Sequence, residues 1–341
     1  MDRRLPGRVR HPLKTGLMKR RLLLSACFAA AAMASAMAAG GAAKGWVDVL
    51  DSPAVKSPLA ARGLINGLAL ADKRVIAVGQ RGHILYSDDL GANWQQADVP
   101  VSSDLVAVHF PTAQLGWAVG HDGVILHSAD AGKTWTRQRD GRPDAADMPV
   151  LDVWFEDAQN GYAVGAFGLL LHTTDGGKTW DSMQAASDNP KNMHLYSVRG
   201  IGGDVFIAGE QGLVLKLDRT TNRFTALTLP YNGTLFGITG TNNTLVVHGL
   251  RGTVLRSTDG GANWQTVPTP FPVGLPAGTV DAAGRIVLAS QAGHVLISTD
   301  HGASFAPVKL ERPFPAAAVL SLAPGRVLVA GPRGVQVQPL P

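Results

Sequence analysis

The chain has 341 residues, of which 45% are hydrophobic and 17% charged, an ordinary globular composition with length enough for a large core. Its formal charge of +5 is concentrated at one end: residues 1–43 hold eight Lys or Arg against the single acid Asp2, which leaves the remainder near −2. A generally basic, nucleic-acid-binding surface is thereby excluded, and because Cys27 is the only cysteine, so are disulfides, thiolate catalysis and cysteine-ligated metals in the rest of the chain.

In chain order the first element is a targeting segment, residues 1–38. Lys19, Arg20 and Arg21 precede an alanine-rich apolar run that ends in Ala36-Met37-Ala38, the three-part pattern of a secretory signal peptide starting at Met18. An exported, periplasmic protein is expected. Leu24-Ser25-Ala26-Cys27 also matches a lipobox, so anchoring as a lipoprotein through Cys27 is the alternative; Arg20-Arg21 hints at twin-arginine export.

From residue 39 to the C-terminus one repeated unit covers the chain. Hairpin glycines fall at Gly82, Gly123, Gly168, Gly212, Gly252, Gly293 and Gly334, a period of 40 to 45 residues, which with several short strands per unit points to propeller blades. Within a unit, a stretch such as Leu105–Phe110 reads as inner strand A, Trp117–Gly120 as strand B, Val124–Ser128 as strand C, and the segment around Trp135 as strand D. The G-x-x-G between B and C is expected to supply the positive φ of a tight turn.

One aromatic recurs after each hairpin: Trp94, Trp135, Trp180, Phe224, Trp264 and Phe305. A seventh, Trp46, precedes every hairpin, while the hairpin at Gly334 is followed by chain end. The expected fold is all-β, a single seven-bladed β-propeller over residues 39–341, closed by pairing an N-terminal strand with the last blade.

Between strands C and D lies Ser/Thr-x-Asp-x-Gly-x-Thr/Asn-Trp, the Asp-box, centred on Asp89, Asp130, Asp175, Asp259 and Asp300. A short carboxylate accepts turn amides and the indole buries a large apolar face. A feature present in most blades is structural rather than one active site. His127 and His172 share a strand C slot with Tyr86, Lys216, Arg256 and Ile297, a covering position rather than a ligand set, so no metal and no cofactor is expected.

The hairpin tips and the D-to-A connections should open on one face and the Asp-boxes on the other. Arginine recurs at the tips as Arg81, Arg251 and Arg333, a candidate cationic patch for carboxylates such as an acidic peptide segment. Loops such as 139–149, with Arg139, Asp140, Arg142, Asp144 and Asp147, are expected over the same face.

The run Ala-Val-Gly-x-x-Gly-x-Leu-Leu-x-Thr-x-Asp-Gly-Gly-Lys-Thr-Trp at Ala163–Trp180 resembles the photosystem II stability and assembly factor family of exported seven-bladed propellers, which extends into non-photosynthetic bacteria. The resemblance spans about residues 46–340. It implies a non-catalytic scaffold that binds a nascent membrane protein through an arginine patch, matched here only by Arg81, Arg251 and Arg333. It also implies an envelope membrane protein partner, with an RND-type exporter as one example, and the ring is expected to be a monomer. Sialidases and other glycosidases also carry Asp-boxes, so a glycan-active hydrolase is the alternative. Against it, no (F/Y)RIP segment occurs and the only glutamates are Glu156, Glu210 and Glu311; a carboxylate pair such as Asp122 with Glu210 is the remaining catalytic possibility.

Overall fold

The computed structural model describes residues 47–142, 148–310 and 312–341. The chain divides into two units, Met1–Val47 and Asp48–Pro341. The expected targeting segment, with Met18 and Cys27, lies outside the described residues, as do Trp46, Asp144, Asp147 and Glu311.

Asp48–Pro341 forms seven antiparallel sheets, six of four strands and one of three. Strand A of blade 1 is Ile65–Ala71, and those of blades 2 to 7 are Leu105–His109, Val150–Phe155, Leu195–Ile201, Leu235–Thr241, Ala277–Val280 and Ala318–Ala323. Strands B are buried along nearly their whole length, as in Gly116–Gly120. They read as continuous apolar runs because each blade is covered on both faces by its neighbours. The ring closes where Ile65, Ala77 and Leu85 of blade 1 pack with Ala330 of blade 7, flanked by Trp94, Ala318 and Val335.

Blade 7 has three strands, Ala318–Ala323, Arg326–Gly331 and Gly334–Pro339, and no fourth pairs with it among the described residues. The expected closing strand would carry Trp46. Trp46 lies outside the described residues, and residues 49–56 bond to the end of blade 1 and the connection between blades 1 and 2: Ser102 N donates to Val49 O at 2.8 Å, Ala54 N to Val99 O at 3.0 Å, and Lys56 Nζ to Gln96 O at 2.6 Å.

The hairpin glycines divide their labour differently from expectation. Only the second of each pair has positive φ, for example 64° at Gly123 and 74° at Gly168, and in blades 1 to 5 the non-glycine residue before it shares that region, at 56° for Asp122 and 54° for Phe167. The first glycine is extended. It is required by close approach: a Cβ at Gly120 would lie 2.1 Å from Asp104 O, and one at Gly165 2.2 Å from Pro149 O. In blades 1 to 5 the B-to-C turn is a three-residue 3-10 turn, such as His121–Gly123, bonded to the connection that enters its own blade (His121 N to Asp104 O, 2.9 Å).

The Asp-boxes share one geometry. Asp89 Oδ1 accepts from Ser87 Oγ at 2.7 Å and Asn93 N at 2.8 Å, and Trp94 Nε1 donates to Gly91 O at 3.0 Å. Asp130, Asp175, Asp259 and Asp300 repeat the two carboxylate bonds with Ser128 and Thr134, Thr173 and Thr179, Ser257 and Asn263, and Ser298 and Ser304, and Trp135 and Trp264 repeat the indole bond. Each turn rests on the preceding blade; Gly132, for instance, leaves room for Ile76 Cδ1, which a Cβ would meet at 2.7 Å. Phe224 is fully buried and Trp135 and Phe305 nearly so, whereas the buried Trp180 Nε1 has no partner.

Four of these carboxyls sit at about 2. The cause is led by the backbone amide of Asn93, Thr179 or Asn263 for Asp89, Asp175 and Asp259, and by the Ser304 hydroxyl for Asp300. A depressed carboxyl stabilises the fold above its unfolded value of about 3.9 and loses that contribution as pH falls through about 2. The Asp-box contribution to the melting temperature should therefore be constant from about pH 8 to 5 and be lost between about pH 4 and 2, following a separate, earlier decline below about pH 6.5 from His109 and His248, which burial holds at about 3 and about 4. A fall already complete above about pH 5 would show that other groups govern acid unfolding.

Candidate functional site: the hairpin-tip face

The two expected faces are present. Hairpin tips bond to the D-to-A connections, as in Gln80 N to Leu64 O at 3.1 Å, whereas Asp-box turns bond to the A-to-B loops, as in Ala131 N to Gln114 O at 3.0 Å. Glu156, on the Asp-box side, is taken up by Arg219 at 2.8 Å.

Arg81, Arg251 and Arg333 are exposed at the tips of blades 1, 5 and 7. Arg81 and Arg251 occupy the left-handed tip position, with φ of 54° and 56°. Arg81 is fixed through its backbone, whose N–H donates to Asp104 Oδ1 at 2.6 Å, and the Arg333 guanidinium lies 5.9 Å from the centre of the Phe314 ring. Among the described residues no carboxylate pairs with any of the three side chains.

Arg81 and Arg333 are joined by a residue that sequence reasoning missed. The turn Ala60–Arg62 passes between the two tips: a Cβ on Gly334 would lie 2.1 Å from Ala61 O and 2.9 Å from Arg62 Cα, and one on Gly63 would lie 2.7 Å from Gln80 Nε2. Exposed Arg62 thus stands between Arg81 and Arg333. Arg251 stands apart in blade 5.

Arg62 and Arg81 rim a groove of about 830 Å³. Val55 and Leu59, 75% and 61% exposed, line it with apolar surface. His83 forms part of its wall with Nδ1 buried and unpartnered, and burial lowers its pKa, which keeps the ring neutral. Lys56 is already engaged, at 2.8 Å from Asp98. The groove can therefore offer two uncompensated guanidinium groups beside apolar surface, with Arg333 next to them.

The charges of loop 139–142 are consumed locally: Arg142 binds Asp140 at 2.8 Å and Asp51 at 2.9 Å. The carboxylates once eligible as a catalytic pair are likewise tied within their own blades. Asp122 accepts from Ser103 Oγ, and Glu210 accepts from His194 N at 2.9 Å. The strand C histidines stack on strand B partners, His172 on Tyr162 at 4.5 Å and His127 near Trp117 at 4.9 Å.

The central channel is a second concavity, about 170 Å³, lined by strands A. Asp152, buried in its wall, accepts from Val153 N at 3.0 Å, Val198 N at 2.9 Å and the Arg199 guanidinium, which also reaches Val198 O at 2.7 Å. Burial pushes the Asp152 carboxyl up, opposed by Arg199 and then the two amides. His248 Nδ1 lies 2.7 Å from Leu275 O, and burial lowers its pKa to about 4. The only sequence signal for this pair was a charged residue inside each of two strand A segments.

Seven sheets around a channel, Asp-boxes on one face and exposed arginines at tips on the other, define an Asp-box β-propeller. The model of the family "Photosynthesis system II assembly factor YCF48" matches residues 61–142 and 144–267, more than half of the chain, and the protein belongs to that family. A curated relative, the photosystem II assembly lipoprotein Ycf48 of Synechococcus sp. (strain CC9902), is 38% identical over 64 residues, a stretch covering 18% of this chain and 19% of the relative. Among solved structures, one titled YCF48 bound to D1 peptide superposes with a TM-score of 0.66 at 16% identity, covering 84% of this chain and 96% of that one. A streptogramin B lyase structure matches with a TM-score of 0.68 at 14% identity, over 86% and 100% of the two chains. Those two likenesses concern the fold, and the second shows that the fold also serves an enzyme. No helix among the described residues is long and apolar enough to cross a membrane.

Proposed function

We propose that the protein is an exported, non-catalytic binding and assembly scaffold whose hairpin-tip face holds an acidic segment of an envelope membrane protein. One observation carries this reading: Arg62 and Arg81 line one groove, Arg333 sits on the adjoining tip that packs against the turn of Arg62, and none of the three has a carboxylate partner among the described residues. Unpaired guanidinium groups in a row suit carboxylates, which they bind by paired N–H donors. Membership of an assembly-factor family and the peptide-bound relative support the same class of partner.

The partner is defined here by chemistry, an acidic stretch flanked by apolar residues, and an RND-type exporter is one envelope protein to test. The chain is read as a periplasmic monomer, with lipid anchoring through Cys27 the alternative. Fluorescence anisotropy with a labelled glutamate-rich peptide and its lysine counterpart tests the reading. The acidic peptide should bind, the lysine peptide should not, and affinity should fall steeply from about 50 to 300 mM salt as screening shortens the range of the arginines. Equal binding of both peptides would remove the cationic site. Salt-insensitive turnover of an aryl glycoside, lost on a single Asp or Glu change, would instead establish the hydrolase alternative.

A further inference from the structure

The same face carries a second feature, across the ring from the cationic groove. Phe167 is the tip of blade 3, held at φ 54° and 57% exposed. A bulky aromatic in the left-handed region is unfavourable, and its exposure gains nothing for the core. Its ring lies 4.9 Å from that of His194, which lies 6.2 Å from Tyr196, which lies 5.9 Å from Phe236. Four rings thus form a continuous lane from the outer tip of blade 3, over the connection into blade 4, to the mouth of the channel.

The inner end of the lane is built by backbone irregularity. The strand A pairing shifts between Leu195 and Ser197 in blade 4 and between Leu235 and Gly237 in blade 5. The skipped residues are Tyr196 and Phe236, which the bulges turn into the channel mouth. Beyond Phe236 the blade 5 tip adds Leu250, 40% exposed, and Arg251.

We infer that the lane is a second subsite for the same extended peptide, taking apolar or aromatic side chains while the acidic part lies on Arg62, Arg81 and Arg333. This inference rests on the scaffold reading above. An extended chain places side chains of one face about 6.6 Å apart, close to the ring-to-ring steps of the lane. Charge complementarity selects the partner: cations flank the apolar lane at Arg251 and, across the face, at Arg62, Arg81 and Arg333, so the occupant is apolar with an acidic flank. The lane descends into a concave mouth instead of presenting a plane, which suits a chain better than a lipid surface.

Anisotropy with two synthetic peptides tests it: one with four glutamates followed by alternating Leu and Phe, the other with the glutamates and a Gly/Ser tail. The bipartite peptide should bind wild-type protein roughly tenfold more tightly. Phe167→Asn, which suits the left-handed tip, should remove most of that advantage and leave the acidic peptide unchanged; Tyr196→Ser should act in the same direction. Equal affinity of the two peptides, or unchanged bipartite binding by both variants, would overturn the lane. If the bipartite peptide binds in a Phe167-dependent manner while the acidic peptide fails to bind, the lane stands and the cationic reading falls. Phe167-dependent co-sedimentation with phosphatidylcholine/phosphatidylglycerol vesicles in place of peptide binding would assign the lane to membrane and overturn the peptide.

Discussion

Reversing Arg62, Arg81 and Arg333 together to Glu should weaken binding of an acidic peptide by at least ~100-fold, about 3 kcal/mol, while moving the melting temperature by no more than about 2 °C. The three side chains are exposed and make no ion pair among the described residues, so the fold loses little when they change. Binding changes much more, because three attractions become three repulsions beside a low-dielectric groove. Arg251→Glu alone should have a far smaller effect on the acidic peptide, since Arg251 stands in blade 5, away from the groove. Titration calorimetry with differential scanning fluorimetry on the same samples reads both quantities. A variant that melts normally and binds normally would take the groove out of the account.

The second large effect concerns stability. Arg199→Ala should destabilise the ring by about 3 kcal/mol at neutral pH, the lower end of the range for breaking a buried pair because the guanidinium is partly open to the channel. Asp152 is left in the channel wall with two amide donors and no cation. Its pKa is already raised by burial and would rise further. A carboxyl raised above its unfolded value weakens the fold fully above the folded pKa, and the penalty disappears as pH falls below the unfolded pKa. The gap between variant and wild type should therefore be wider at pH 8 than at pH 5. The double variant Arg199→Ala, Asp152→Asn should recover part of the loss, because no charge is then buried. Urea unfolding at the two pH values checks this; a pH-independent gap would mean that Arg199 acts through packing alone.

The legible part of the molecule is the part that repeats. Glycines at 40- to 45-residue spacing give seven hairpins, and each Asp-box gives the position of a turn, because the same steric demand recurs in blade after blade. The first hairpin glycine was misread: Gly120 and Gly165 look like residues chosen for turn conformation, yet it is a carbonyl oxygen 2.1 to 2.2 Å from a Cβ position that excludes a side chain. Arg81 and Arg333 were legible because they occupy a repeated slot. Arg62 was not, because it lies in the turn Ala60–Arg62 before the first blade, where no repeat marks its place. Asp152, Arg199, Tyr196 and Phe236 escaped for a related reason. Strand A lacks a glycine signature, and its bulges shift which residues face the channel without leaving a mark in the sequence pattern. The closing strand expected to carry Trp46 stays an expectation.

The central claim is that the hairpin-tip face of this propeller is its binding surface. Hydrogen exchange with mass spectrometry, comparing the free protein with a saturating acidic-apolar peptide, tests it most directly. The account predicts new protection at segments 59–64, 80–83 and 332–334, extending to 166–168 and 194–196, with the Asp-box turns at 88–93 and 174–179 unchanged. Protection confined to the Asp-box turns, or absent from all five tip-face segments while the peptide is bound, would contradict it.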